Sequence, residues 1–336
     1  MIATIISLLG RACLALIIVL ASAWMAGAIW YQAPGPQVLH IVLAASAILL
    51  GLAAIVGVFR RRWRMPAALL AALSLSLIWW STIAPSNDRI WSPEMARNLT
   101  YQRDGDIITV TNVRDFYWTS ISEARENWET RSYDLRRVTG IDVYSLYWMG
   151  PAIGHTYFSF TFEDGEALSF SVEIRKELGE PYSPIAGFFK GFELAVLAGD
   201  ERDFVGWRIY ASGEDIQMFR TNATPAEARA LLLALLGKAN ELAATPEFYN
   251  TLTANCTTAV WSLTSALGAG LPLDSRVILS GYLPDYLYDQ GRLDSSRPLP
   301  ELRVTGNTIP RARAALQAGL DGVGFSTALR DGVPRP

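Results

Sequence analysis

The chain has 336 residues, 51% of them hydrophobic, with 29 basic and 32 acidic side chains and a net charge of −3. That charge is unevenly spread: residues 1–85 hold five arginines and no Asp or Glu, so the remainder carries 24 basic against 32 acidic residues, near −8. So acidic a remainder excludes nucleic acid as a partner, which needs a basic footprint, and the single Cys and single His after residue 85 are too few for an ordinary zinc site. No metal, no cofactor and no Gly-rich phosphate loop is expected.

Residues 12–31, 37–59 and 66–84 are apolar runs long enough to cross a hydrocarbon core, which takes about 20 helical residues. They predict three transmembrane helices within residues 1–85. The first reads alternatively as a cleaved signal peptide, since Arg11 precedes it and Ala21-Ser22-Ala23 resembles a cleavage site. Cys13 lies inside this run without a lipobox before it, and a packing role is expected. Arg60, Arg61, Arg62 and Arg64 crowd the short loop between the second and third runs, and such loops stay cytoplasmic. Everything after about Pro85 then emerges on the opposite face. In a bacterium this describes a multi-pass inner-membrane protein whose C-terminal domain is periplasmic. Trp79 and Trp80 fit an interfacial aromatic belt.

Residues 86–336 predict one α+β domain, with strands first and helices after. A polar stretch over Asp88 to Arg103 leads to a strand at Ile107–Thr111, continued by Val113–Tyr117, behind the Asp104-Gly105 turn. Trp128–Arg137 and Val143–Met149 are two more strand-like runs. Residues 155–162 and 167–174 form a hairpin around Glu163-Asp164-Gly165-Glu166. Asp200–Tyr210 and Asp215–Arg220 are read as further strands. Thr224-Pro225-Ala226-Glu227 combines an N-cap, a helix-starting Pro and a capping-box Glu, and opens a helix through about Ala243. A second helix is expected over Cys256–Leu267, stopped by Gly268 and Gly270. The Pro-, Gly- and Arg-rich remainder suits short helices at best, such as Ala312–Leu320.

The two reactive residues stand in suggestive places. Asn255 is a good N-cap, which puts Cys256 at the first helical position, where backbone N–H groups and the macrodipole favour an anion. His155 is the one imidazole after residue 85, and Cys256 has no partner there for a disulfide. If Gly165 takes the left-handed position of a three-residue hairpin loop, Phe162 faces Glu166, Ser159 faces Ser169, Tyr157 faces Ser171 and His155 faces Glu173. A carboxylate then sits beside the imidazole and can hold its tautomer, as the third member of a catalytic triad does. A slip of one residue would put Ile174 there instead. Arg175 is expected to form a salt bridge with Glu173, the alternative being a phosphate head group. Tyr182, Tyr249 and Asn255 are candidates for holding an oxyanion, with aromatic packing and capping as the competing roles.

Gly154-His155-Thr156-Tyr157-Phe158-Ser159-Phe160, Ser171-Val172-Glu173-Ile174-Arg175 and Asn255-Cys256-Thr257-Thr258 resemble motifs of the periplasmic domain of Lnb-type proteins, bacterial lipoprotein N-acyltransferases. The order of His on one strand, a polar residue on the next and Cys heading a later helix is similar to the circularly permuted branch of the papain-like NlpC/P60 superfamily. The resemblance spans roughly residues 88–300. It implies a permuted papain-like fold, an antiparallel sheet packed on helices, with Cys256 as nucleophile, His155 as base and Glu173 as orienting group. It also implies acyl transfer from a membrane phospholipid to the N-terminus of a lipoprotein. The alternatives are a cysteine peptidase or amidase acting on cell-wall peptides, and a non-catalytic tethered binding domain. Acyl transfer calls for an apolar groove leading from Cys256 toward Pro85; a peptidase calls for a polar cleft open on both sides of the thiol. The aromatic stretches Ile185–Phe189 and Tyr282–Tyr288 are candidates to dip into the membrane interface, with core packing as the competing role. Oligomeric state is not encoded in any pattern of the chain.

Overall fold

Long apolar runs can satisfy their backbone in lipid only as helices, and three such helices open the chain. The computed structural model describes residues 2–147, 150–210, 215–268 and 271–336. It has α1 at Ile2–Gln32, α2 at Gln37–Phe59 and α3 at Arg64–Thr82, each long and apolar enough to span a membrane. α1 begins before Arg11 rather than after it, because residues 2–12 contain no proline to stop it. The two longer helices approach through small side chains: Ala47, Gly51 and Ala54 of α2 are buried, and a Cβ on Gly51 would collide with Ser22 of α1. Cys13 is exposed on α1, so the expected packing role is not what its position serves.

Residues up to Ser86 form one compact unit together with the segment Ser183–Gly191. Phe189 stacks on Tyr31 with ring centroids 5.5 Å apart. Lys190 Nζ donates to the carbonyls of Trp80 and Ile83 at 2.8 and 2.9 Å, so a cation closes the negative end of α3. Of the stretch expected at the membrane interface, Phe189 is therefore occupied by packing, while Ile185 and Phe188 remain exposed.

Asn87–Tyr182 and Phe192–Pro336 form the second unit. Its strands are β1 Thr100–Asp104, β2 Ile107–Arg114, β3 Tyr117–Trp118, β4 Ala124–Arg125, β5 Trp128–Asp134, β6 Val138–Tyr147, β7 Gly154–Phe162, β8 Ala167–Arg175, β9 Glu193–Gly199 and β10 Asp215–Arg220. Eight of them make one mostly antiparallel sheet in the order β1-β2-β9-β8-β7-β6-β10, with β5 also pairing with β2. Trp148 and Met149, expected at the end of β6, and Gly270, expected as a helix stop, lie outside the described residues. The helices are α4 Glu201–Tyr210, α5 Pro225–Ala244, α6 Thr258–Ala266, α7 Ser275–Ile278, α8 Leu283–Asp289, α9 Leu299–Gly306, α10 Ile309–Gln317 and α11 Gly322–Arg330.

Strand alternation splits the core into two layers. Phe158, Phe160, Phe170 and Val172 pack against α5, α6 and α8, while Tyr144, Leu146, Tyr157 and Leu197 pack against α4, α10 and α11. The mixed α+β architecture with three leading helices agrees with the sequence reading. Several elements differ: Thr100–Asp104, read as the end of a polar stretch, is strand β1, and β2 stops at Arg114 short of the expected Tyr117. Asp200–Tyr210 is largely helix α4 rather than a strand: Asp200 Oδ1 accepts from Arg202 N at 2.9 Å and two acidic residues lie in the first turn. Leu135–Arg137, the end of the expected Trp128–Arg137 strand, is a short 3₁₀ turn. β9 goes unrecognised in the sequence because its apolar run, buried on both faces, has no alternation to betray it. The last 60 residues hold more helix than their composition suggests. Leu283, Pro284 and Tyr286 of α8 are buried, so core packing explains that aromatic stretch.

Two ion-pair clusters lie under the second layer. Arg114 and Asp203, both almost completely buried, bond through Nε–Oδ2 at 2.8 Å and Nη2–Oδ1 at 3.1 Å, and Asp203 also accepts from Phe116 N and Trp118 Nε1. Arg330 of α11 reaches Asp142 at 2.8 Å and Glu201 at 2.7 Å, tying the chain's last helix to the sheet. Removing one partner of such a pair strands a buried charge. Asp203→Ala is expected to destabilise the protein by about 3–5 kcal/mol, measured by chemical unfolding of the detergent-solubilised chain; a loss under about 1 kcal/mol, the level of an exposed pair, would show that Arg114 finds water instead.

Candidate active site

Three short-range devices bring the site together. The first is the β7–β8 hairpin. Gly165 has φ +86°, its N–H bonds to Phe162 O, and Phe162 N bonds to Glu166 O, so the loop holds three residues. Phe160↔Leu168, Ser159↔Ser169 and Tyr157↔Ser171 follow, which carries His155 to Glu173 at the strand ends. The second is the start of β7, where Ser280 Oγ donates to Gly154 O and a Cβ on Gly281 would collide with the Pro151 carbonyl. Only glycine fits that approach. The third is the turn into α6.

That turn is capped by Asn255. Its Oδ1 accepts from the N–H groups of Thr257 and Thr258 at 2.9 and 2.8 Å, and Thr258 Oγ1 accepts from Asn255 N at 2.9 Å. Ala259 N bonds to Asn255 O, so helical hydrogen bonding begins at Asn255 although the regular helix starts at Thr258. Cys256 thus occupies the first turn, as its neighbours in the sequence suggest. Asn255 Nδ2 is used as well, donating to Thr251 O at 2.9 Å. With its oxygen and one of its two amide hydrogens engaged, Asn255 acts as the cap of this turn.

His155, Ser171, Glu173 and Cys256 converge. His155 Nε2 lies 2.7 Å from Ser171 Oγ and 2.9 Å from Glu173 Oε1, and Ser171 Oγ donates to Glu173 Oε1 at 2.8 Å. The Cys256 side chain lies near enough to the ring to favour its protonation. The proton position follows from the bonding. An ionised carboxylate only accepts, so the one hydroxyl proton of Ser171 points to Glu173 and Ser171 must accept from Nε2–H. Nε2 is therefore protonated, which leaves Nδ1 to serve the thiol.

Burial works against a charged ring, but the Glu173 charge, the neighbouring Cys256 and the hydrogen bond that Nε2 donates to Glu173 outweigh it and push His155 up to about 10. Burial likewise opposes ionisation of Glu173, and the His155 charge and hydrogen bond overcome it, holding the carboxyl down at about 2. At neutral pH the pair is imidazolium and carboxylate.

Tyr249 and Tyr182 stand close enough to Cys256 to feel its charge. Burial, then that charge, pushes both phenols upward, so both remain proton donors. Arg175 departs from expectation. Although it shares a strand face with Glu173, its guanidinium bonds to Met95 O at 3.1 Å, Asn87 Oδ1 at 2.8 Å and Ala96 O, and lies over Trp91. It is 3% exposed, clamps the segment before β1, and does not pair with Glu173. Ser171 is the functional group that the sequence reading did not assign; the period-2 pattern of β8, which aligns Ser169, Ser171 and Glu173, was the signal for it. Among the described residues no cluster of metal-binding side chains occurs.

Residues 124–282 match the family model described as the Lnb N-terminal periplasmic domain, so this part of the chain is an Lnb-type periplasmic domain. His155, Ser171, Glu173 and Cys256 all fall inside the matched span, which is narrower than residues 88–300. No curated protein and no solved structure matches the chain.

The shifts set a pH dependence. His155 is raised in the folded state, so its contribution to stability is full below its ordinary 6.5 and is lost as pH climbs toward about 10. Glu173 is lowered, so its contribution is full above its ordinary 4.5 and is lost as pH falls toward about 2. Glu173→Gln is expected to flatten both limbs and to lower the His155 pKa. NMR titration of ring-labelled protein, assigned with His40→Gln, reads this out, and an unchanged His155 titration would mean that Glu173 is not what holds its proton.

Proposed function

We propose that residues 86–336, which include this Lnb-type domain, act as a membrane-associated thiol acyltransferase, with the first 85 residues as a three-helix anchor in the bacterial inner membrane. The observation that carries the reading is the convergence of Cys256, His155 and Glu173 at the head of a capped helix turn. The order of His strand, polar strand and Cys helix supports a permuted papain-like, NlpC/P60-type arrangement.

The chemistry has two halves. The Cys256 thiolate attacks the ester carbonyl of a membrane phospholipid, forming a C–S bond; the C–O bond breaks as the departing alkoxide takes a proton from the His155 imidazolium. An amine, in this reading the N-terminus of a lipoprotein, then attacks the thioester. A C–N bond forms, the C–S bond breaks, and the amine's proton passes to His155, restoring the ion pair. Ester and amine become amide and alcohol, with no oxidant or cofactor required. Asn255 consumes the N–H groups of Thr257 and Thr258, leaving that of Cys256 for the oxyanion, with Tyr249 as the second donor and Tyr182 flanking it. Glu173 and Ser171 keep the ring oriented, which makes them positioning residues.

The second reading is a cysteine peptidase or amidase acting on cell-wall peptides, since the same thioester chemistry serves hydrolysis. Three apolar helices exceed what a tether needs, and this favours a lipid donor. The full chain in phosphatidylethanolamine vesicles is expected to gain one acyl chain on Cys256 by intact-mass and peptide mapping, and to lose it when a lipopeptide with a free α-amine is added. Cys256→Ala abolishes the adduct, and His155→Ala slows its formation by roughly 10⁴-fold or more. Cleavage of wall peptides with no adduct from any phospholipid would replace acyl transfer by hydrolysis.

A further inference from the structure

Beside the turn that carries Cys256, the second unit holds a half-open apolar cavity of about 260 Å³. Its walls come from the sheet (Val143, Phe158), from α5 (Ala230, Leu231) and from α6 (Val260), and Thr257, the residue directly after Cys256, lines it too. The volume exceeds the roughly 150 Å³ at which an engineered apolar cavity stays dry and takes up benzene. We infer that this cavity is the binding site for the hydrocarbon chain of an acyl donor.

The lining's polar groups argue for hydrocarbon and against a head group or a peptide. Each is turned back onto the protein. Thr221 Oγ1 donates to Ile141 O at 2.7 Å, Thr257 Oγ1 to Val277 O at 2.6 Å and Thr264 Oγ1 to Trp261 O at 2.9 Å. Trp261 Nε1 donates to Leu271 O at 3.2 Å and Tyr286 OH to Pro272 O at 2.8 Å. The one charged pair, Glu227 and Arg292, is closed on itself at 3.0 Å. A ligand entering here meets apolar contact and finds those hydrogen-bonding groups already occupied, which suits an alkyl chain and penalises a peptide, whose amides would lose their water without compensation. Membrane lipid is the hydrocarbon source that a chain with three apolar helices has at hand. This inference rests on the acyl-transfer reading for its purpose, because Thr257 joins the cavity wall to the thiol in the chain, but the binding itself requires no thiol chemistry.

The test uses the full chain carrying Cys256→Ala, in phosphatidylethanolamine vesicles, with dodecanoic acid bearing a terminal diazirine as the probe. After photolysis, peptide mapping is expected to find label on the segments holding Ala230–Leu231 and Val260–Thr264. Ala230→Trp, which fills the cavity from α5, should cut that label at least tenfold while label on the three apolar helices stays constant. Thr264→Phe fills it from α6 and should do the same, and unfolding midpoints identify any variant that has lost its fold. Label confined to residues 2–82, or label on α5 and α6 that neither substitution reduces, overturns the inference. Because the thiol is absent throughout, this failure is separate from the absence of a Cys256 adduct in the unsubstituted chain, which would sink the acyl-transfer reading alone.

Discussion

Gly165 governs the site from ten residues away. Its left-handed conformation makes the β7–β8 loop three residues long, and that length decides which side chains share a face along the whole hairpin. With this register, Phe158, Phe160 and Phe170 go to one core layer and His155, Ser171 and Glu173 to the other side. A shift of one residue would exchange the two sets, burying a carboxylate among aromatics and leaving the imidazole beside Ile174. The hydrophobic pattern and the polar pattern of the candidate site are therefore locked by the same constraint, and neither can change alone.

The polar side of the sheet is costly to bury, and the protein offsets that cost by pairing. Arg114 with Asp203, and Arg330 with Asp142 and Glu201, place full charges where burial alone would forbid them. Tyr144 and Ser159 add hydrogen bonds to Glu201, and despite desolvation the carboxylate is held below its ordinary range by Arg330 and Ser159. The His155–Glu173 pair uses the same principle with a difference: one partner also lies beside the Cys256 thiol, which in the proposed chemistry gives its proton an outlet. The other clusters have no such outlet. They act as structural pins, one of them fastening α11 to the sheet.

Asn255 shows how tightly capping and reactivity are joined. Its side chain caps the turn, and by taking the N–H groups of Thr257 and Thr258 it determines which amide is left beside the sulfur. On the far side of the same turn, Thr257 contributes to the apolar cavity. Two consecutive residues thus divide a polar cluster from an apolar cavity, the separation that the proposed acyl transfer requires.

Much of this was legible in the chain itself. The three apolar helices, the α5 capping box, the hairpin register and the meeting of His155 with Glu173 are local: each follows from composition, cap residues or a count of residues across one turn, and local geometry is what periodicity encodes. Asp200–Tyr210 misled because its helix is set by an Asp cap and first-turn acids against a middling apolar pattern. β9 was silent because a strand buried on both faces does not alternate. The fate of Arg175 was undecidable from spacing, since Met95, Ala96 and Asn87 reach it only through the folded chain. The approach of Cys256 to His155, about a hundred residues apart in the chain, and the cavity behind Thr257 likewise belong to tertiary structure alone, because contacts between distant segments depend on how whole layers pack, and no sequence period records that.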